Sequence, residues 1–235
     1  MQRFSEKITR KTMIQGAMAI RPKAIPFGGD IRNFFQAGGP RIVLIFGTTY
    51  PEMTMIAIPT DFPAVLHADG PDPERAEALK LYGRFVGDWD TEVIAHGSDG
   101  TSHHTQGEIH FGWVLQGRAI QDVWMIPRLA DRTAAPQFPI AGNWYGTTLR
   151  VYDPTIEAWR IFWIDPARSV FRQQIGRAHG EDIVQEGSTE SGELSRWSFT
   201  KITENSFHWH GEARAAGAAN WGLVVEVKAK RRSRG

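Results

Sequence analysis

The side chains of this chain that could do chemistry are scattered through segments that alternate apolar and polar residues. His110 stands beside Glu108 and near the segment carrying Arg118 and Asp122. An imidazole there could act as a general base or bind haem iron, although a surface or hydrogen-bonded core histidine is the better explanation. Arg118, Asp122, Arg150, Arg172, Glu186 and Glu226 interrupt otherwise apolar or aromatic stretches. Alternation sends most such groups outward, and any that face inward must be paired, because a lone buried charge is costly. Tyr145 alternates in register with Thr147 and Leu149 and could supply a phenol donor. Together with Asp122 or His110 it could run proton transfer on a bound aromatic substrate.

Other arrangements carry less. His208 and His210 lie two apart with Glu212 next in line, so they share one face of a strand. Phe207 and Trp209 take the opposite face and are the better interior candidates, which turns both histidines toward solvent. His103 and His104 fall at the end of a hairpin. No zinc-type His spacing is present, so no dedicated metal site is expected. The chain has no Gly-x-Ser-x-Gly elbow, no P-loop and no dinucleotide glycine fingerprint.

The aromatic set is more distinctive. All nine tryptophans fall between Trp89 and Trp221. Trp113, Trp124, Trp159, Trp163, Trp197, Trp209 and Trp221 each bring a large apolar area and one N–H donor. They either fill a core or line a cavity suited to a flat or oily ligand.

The elements that must position these residues are strands. From Trp89 onward, turns recur roughly every 8–15 residues, with no helical pattern between them, which favours an antiparallel barrel or sandwich over a parallel fold. About ten short strands in hairpin order would close into a barrel that leaves no exposed edge. Upstream, Asp72-Pro73-Glu74-Arg75 reads as a helix start: Asp72 caps, Pro73 suits the first turn and Glu74 complements the dipole. That helix runs to about Tyr82, stops at Gly83 and would plug one barrel end. Residues 73–235 form the barrel domain, 59–72 a Pro- and Asp-rich linker, and 1–58 a basic extension without sustained periodicity. The extension reads as poorly ordered, as upstream sequence before a start at Met53 or Met55, or as a presequence poor in serine.

Bulk properties narrow the classes. The formal net charge of +1 gives no global field for nucleic acid or anionic lipid. The basic tail from Lys228 to Arg234 lacks a stacking platform, so no nucleic-acid partner is expected. The absence of cysteine excludes disulfides, thiolate ligands and a cysteine nucleophile, and suits a reducing cytosol. Ile42-Val43-Leu44-Ile45-Phe46 is too short to span a bilayer. The expectation is a soluble cytoplasmic protein with no membrane partner; a homodimer is compatible with the sequence.

Gly83-Arg84-Phe85-Val86-Gly87-Asp88-Trp89-Asp90, Gly112-Trp113-Val114-Leu115-Gln116-Gly117-Arg118 and Trp197-Ser198-Phe199 together resemble bacterial lipocalin-like proteins of unknown function in the calycin superfamily. The resemblance covers about residues 73–232. It implies a barrel whose Gly-x-Trp tryptophan, Trp89, packs at the base under a basic residue of the last strand, Arg231 or Arg232. It also singles out Arg118, in the Leu-x-Gly-Arg segment, as an inward group able to hold a carboxylate, enolate or phenolate. Calycins include carriers, haem-binding barrels and cofactor-free enzymes, so the fold fixes no chemistry. The leading expectation is binding of a small hydrophobic or aromatic molecule without a cofactor. The alternatives are a cofactor-independent lyase or isomerase using Arg118, Tyr145, His110 and Asp122, and a haem barrel.

Overall fold

The computed structural model describes residues 31–34, 42–45, 54–57, 61–132, 143–189 and 191–233. The chain divides into two units, Met1–Ile58 and Pro59–Gly235. In the first unit, β1 (Ile31–Phe34), β2 (Ile42–Ile45) and β3 (Thr54–Ala57) pair antiparallel in that order. Runs of four residues are too brief to register as a period. The rest of that segment, with its glycine pairs and Met53, lies outside the described residues. So does most of the loop read over 127–142.

The second unit begins with structure where only a linker was expected. Asp61 accepts from the Ala64 N–H at 3.0 Å and opens α1 (Phe62–Leu66), followed by β4 (His67–Ala68). The Asp61-Phe62-Pro63 triplet is itself a helix-start signal. Asp72 then accepts from the Glu74 N–H at 3.1 Å, capping a short 3-10 turn that leads into α2 (Ala76–Gly83).

Ten strands follow: β5 (Gly87–His96), β6 (Ser102–Val114), β7 (Ala119–Ile126), β8 (Trp144–Asp153), β9 (Ala158–Asp165), β10 (Val170–His179), β11 (Asp182–Ser188), β12 (Leu194–Thr200), β13 (Ser206–Arg214) and β14 (Gly222–Arg231). Each pairs antiparallel with the next, and β14 returns to β5 with Val227 opposite Val93 and Arg231 opposite Trp89. The result is a closed ten-stranded calycin-like barrel, with β4 pairing onto β6 through Trp113 and Val114. Among the described residues no helix is long and apolar enough to cross a membrane.

One parity of each strand is buried: Trp89, Thr91 and Val93 on β5, Thr148 and Arg150 on β8, Phe207 and Trp209 on β13. A bulge at the β13–β14 pairing sets Gly211 opposite Val225 and Glu212 opposite Leu223, leaving Val224 as the extra residue.

The closed end is aromatic. Phe85 lies 4.7 Å from Phe199 and 5.0 Å from Phe207, ring centre to ring centre, and Trp89 lies 4.7 Å from Phe207. Each fully buried ring of this size is worth about 1.5–3 kcal/mol. The Trp89 indole donates to the Phe85 carbonyl at 2.7 Å, and the Arg231 guanidinium stacks 4.1 Å above its ring. Arg231 also donates to the carbonyls of Val86, Arg84 and Glu204 at 2.8, 2.7 and 2.8 Å. Gly87 makes this possible: its φ is +130°, and a Cβ there would lie 2.7 Å from Arg231 Nη1. Arg232 instead pairs with Asp90 and Glu108 at 2.8 and 3.0 Å.

Candidate functional site

Midway along the barrel interior a chain of polar side chains crosses from wall to wall. Asp122 (β7) and Arg150 (β8) form an ion pair, 0% and 1% exposed. Asp122 Oδ1 accepts from the Thr148 N–H at 2.8 Å. Arg150 Nε reaches Gln185 Oε1 at 3.5 Å, and the Tyr82 hydroxyl of α2 donates to the same oxygen at 3.0 Å. Gln185 and Gln174 meet at 3.5 Å, and Gln174 donates to Ser195 Oγ at 3.0 Å. The Arg150 guanidinium also lies 5.3 Å from the Tyr82 ring, 5.5 Å from Phe111 and 5.8 Å from Phe199. Burial pushes the Tyr82 phenol well above its ordinary value, with Arg150 opposing, so it stays a neutral donor.

Arg150 is also part of the lining of a cavity of about 220 Å³. Five tryptophans wall it: Trp124, Trp144, Trp163, Trp197 and Trp209. Their ring centres stand 5.1 Å (Trp124–Trp209) to 6.4 Å (Trp124–Trp163) apart, mostly tilted or edge-on. Gly211 lets Val225 and the Trp209 ring pack closely in this wall, since a Cβ there would meet Val225 at 2.7 Å and the Trp209 ring at 2.9 Å. The Trp124 indole N–H is buried and has no acceptor. Arg168, Arg172, Glu193 and Glu212 bring charge to the lining. Glu212 is held by Arg196 through two hydrogen bonds, 2.7 and 2.9 Å. Arg168 lies 5.3 Å over the Trp144 ring, and burial together with neighbouring Arg172 holds its guanidinium below its ordinary value, against the pull of Asp165.

The four residues expected to do proton chemistry do not converge. Only Asp122 points inward. Arg118 is half-exposed and donates to Asp72 Oδ2 at 3.0 Å, serving the cap that starts α2 rather than the interior. His110 faces outward, with Nδ1 2.6 Å from Asp88 Oδ1 and Nε2 3.6 Å from Glu108. Tyr145 is 46% exposed under the Arg132 guanidinium. Among the expected aromatic residues, Trp124, Trp163, Trp197 and Trp209 meet at the cavity and three others do not. Trp113 packs on Gly83 of α2, Trp159 is buried 4.8 Å from Tyr82, and Trp221 is sandwiched between Arg196 and Arg214 at 4.4 and 4.8 Å.

Trp144, Arg168 and the inward placement of Arg150 and Arg172 were missed. A strand begun at Tyr145 hides Trp144, and its parity runs one residue out. The available signal was Arg150, the only charge in an otherwise uncharged strand interior.

No described lining residue is a histidine, tyrosine, methionine or cysteine, so the cavity does not fit a haem held through an axial side chain. His96, His208 and His210 sit on the outer face, where His96 and His210 approach Glu226 at 2.9 and 3.9 Å. Among the described residues no group of three or more His, Asp or Glu side chains could hold a metal ion.

Fold and site together define a calycin-like barrel with a tryptophan-walled cavity above a buried ion pair. No family model and no curated protein matches the chain. Among solved structures it is similar to the S-type phycobiliprotein lyase CPES from Guillardia theta, at 12% identity and TM-score 0.48 over 70% of this chain and 100% of that one. It is also similar to Rv2717c from M. tuberculosis, at 12% identity and TM-score 0.44 over 69% and 99%. Likenesses at these scores carry nothing about ligand or reaction.

Proposed function

We propose that this protein binds a small hydrophobic or aromatic molecule in the barrel cavity. The observation that carries this is the convergence of five tryptophans on one cavity of about 220 Å³. An apolar cavity of about 150 Å³ is enough for benzene, and drug-sized sites begin near 300 Å³. The volume therefore supports a guest of one or two rings and argues against a haem macrocycle. The Trp89–Arg231 stack supports placing the chain with bacterial lipocalin-like proteins, and the lack of cysteine suits a cytoplasmic one. A cofactor-independent lyase or isomerase in the same cavity is the second reading. It is favoured by Arg150, which lines the cavity while paired with Asp122.

The test is titration with neutral one- and two-ring aromatics, read by tryptophan emission and by calorimetry. Saturable one-to-one binding that is weakened by Trp209→Ala is expected. No emission change and no heat with any such compound or with its carboxylic-acid analogue, up to its solubility, would overturn the reading. A native mass spectrum of the protein as purified adds the mass of any guest carried from the cell.

A further inference from the structure

Taking the cavity to be a ligand site, we infer that its guest is an aromatic carboxylic acid, its carboxylate held by Arg172 with Arg168 and its ring against the tryptophans. Arg172 occupies an inward position of β10, directly opposite Trp163 of β9. Among the described residues it has no carboxylate partner; its only hydrogen bond goes to the Phe171 carbonyl, at 2.9 Å. Arg168 is a quarter exposed, and its one acidic neighbour, Asp165, stands at the long distance of 3.9 Å. The two guanidiniums are close enough to oppose each other's charge. A pair of like charges at the edge of a low-dielectric cavity is relieved by a bridging anion, and a planar carboxylate matches the guanidinium fork.

An independent observation points the same way. The Trp124 indole N–H is buried in the lining with no acceptor. A buried donor without a partner is costly, and a small turn of the Trp124 ring toward the cavity would let an oxygen of the guest accept from it. The opposing charge is small. Glu212 is already neutralised by Arg196, which leaves Glu193 as the one lining carboxylate without an arginine.

The test compares 2-naphthoate with the neutral isostere 2-naphthamide and with 2-naphthol, by calorimetry at low salt. Naphthoate is expected to bind roughly tenfold or more tightly than naphthamide, the size of a charge-assisted hydrogen bond. Arg172→Gln and Arg168→Gln should each shrink that ratio, naphthoate losing more affinity than naphthamide, with far-ultraviolet circular dichroism reporting that the barrel is intact. Glu193→Gln should raise naphthoate affinity a few-fold. If naphthamide or naphthol binds as tightly as naphthoate, the carboxylate inference is overturned and the aromatic-binding reading stands. If none of the three binds, both are overturned together.

Discussion

Asp122→Asn removes one charge from a pair that has no contact with water. Wild-type Asp122 uses one oxygen for the Thr148 N–H at 2.8 Å and the other for Arg150. Asparagine can keep the first bond but supplies no charge for the second. Arg150 is then left with Gln185 at 3.5 Å and three ring faces between 5.3 and 5.8 Å. Breaking a buried pair on one side costs about 3–5 kcal/mol, and the ring faces soften this by about 1 kcal/mol, so a loss near 3 kcal/mol is expected. That is a large share of a typical domain stability of about 5–15 kcal/mol. In a barrel of this length it corresponds to a drop in Tm of about 6–12 °C. Arg150→Met combined with Asp122→Asn removes the stranded cation and should cost less than Asp122→Asn alone. Urea unfolding should be followed by far-ultraviolet circular dichroism, with the slope of each transition checked for constancy. If Asp122→Asn costs under about 1 kcal/mol, or the double variant is less stable than either single one, the pair is not held by charge and this reasoning is wrong.

Arg231→Met should lose about 2–3 kcal/mol, since it removes the stack on Trp89 and three hydrogen bonds to carbonyls. Arg231→Lys should fall between that variant and wild type, and equal stability of all three in urea would show that the base of the barrel does not depend on the guanidinium. Asp153 is held at about 2, against an ordinary 3.8, chiefly by the Thr155 hydroxyl and the Arg160 guanidinium. A depressed folded-state value adds stability above pH 3.8 that is lost as the pH falls toward 2. Asp153→Asn should therefore flatten that part of the acid limb, and a carboxyl resonance of Asp153 titrating near 3.8 in the folded protein would contradict it.

The barrel was legible because its signals are local. The Asp72-Pro73 cap, the turns and the alternation around Trp89 and Phe207 each need only a few residues, and they agree with one another. The site was less legible because it depends on parity. On β8 the inward residues are Gly146, Thr148 and Arg150; reading from Tyr145 instead of Trp144 flips the strand and exchanges a wall tryptophan for a surface tyrosine. Trp113 shows a second limit. It has inward parity, yet α2 covers it, and which end of a barrel a plug helix closes is not written in the strands. Trp221 shows a third: its neighbours Arg196 and Arg214 come from other strands, and no spacing rule reveals a stack between distant arginines.

Nearly all the wall is made of neighbours in sequence, with one exception, the seam between β14 and β5. Hairpins of adjacent strands form in microseconds, whereas a seam joining residues near 90 to residues near 230 must first meet the entropy of a very long loop. Closure of the ring is therefore the natural slow step in its folding. Until it happens, β5 and β14 present bare hydrogen-bonding edges, the surfaces on which chains of this kind associate wrongly. Arg231 lies in the seam itself, so the residue that finishes the base of the barrel also fastens the last strand to the first.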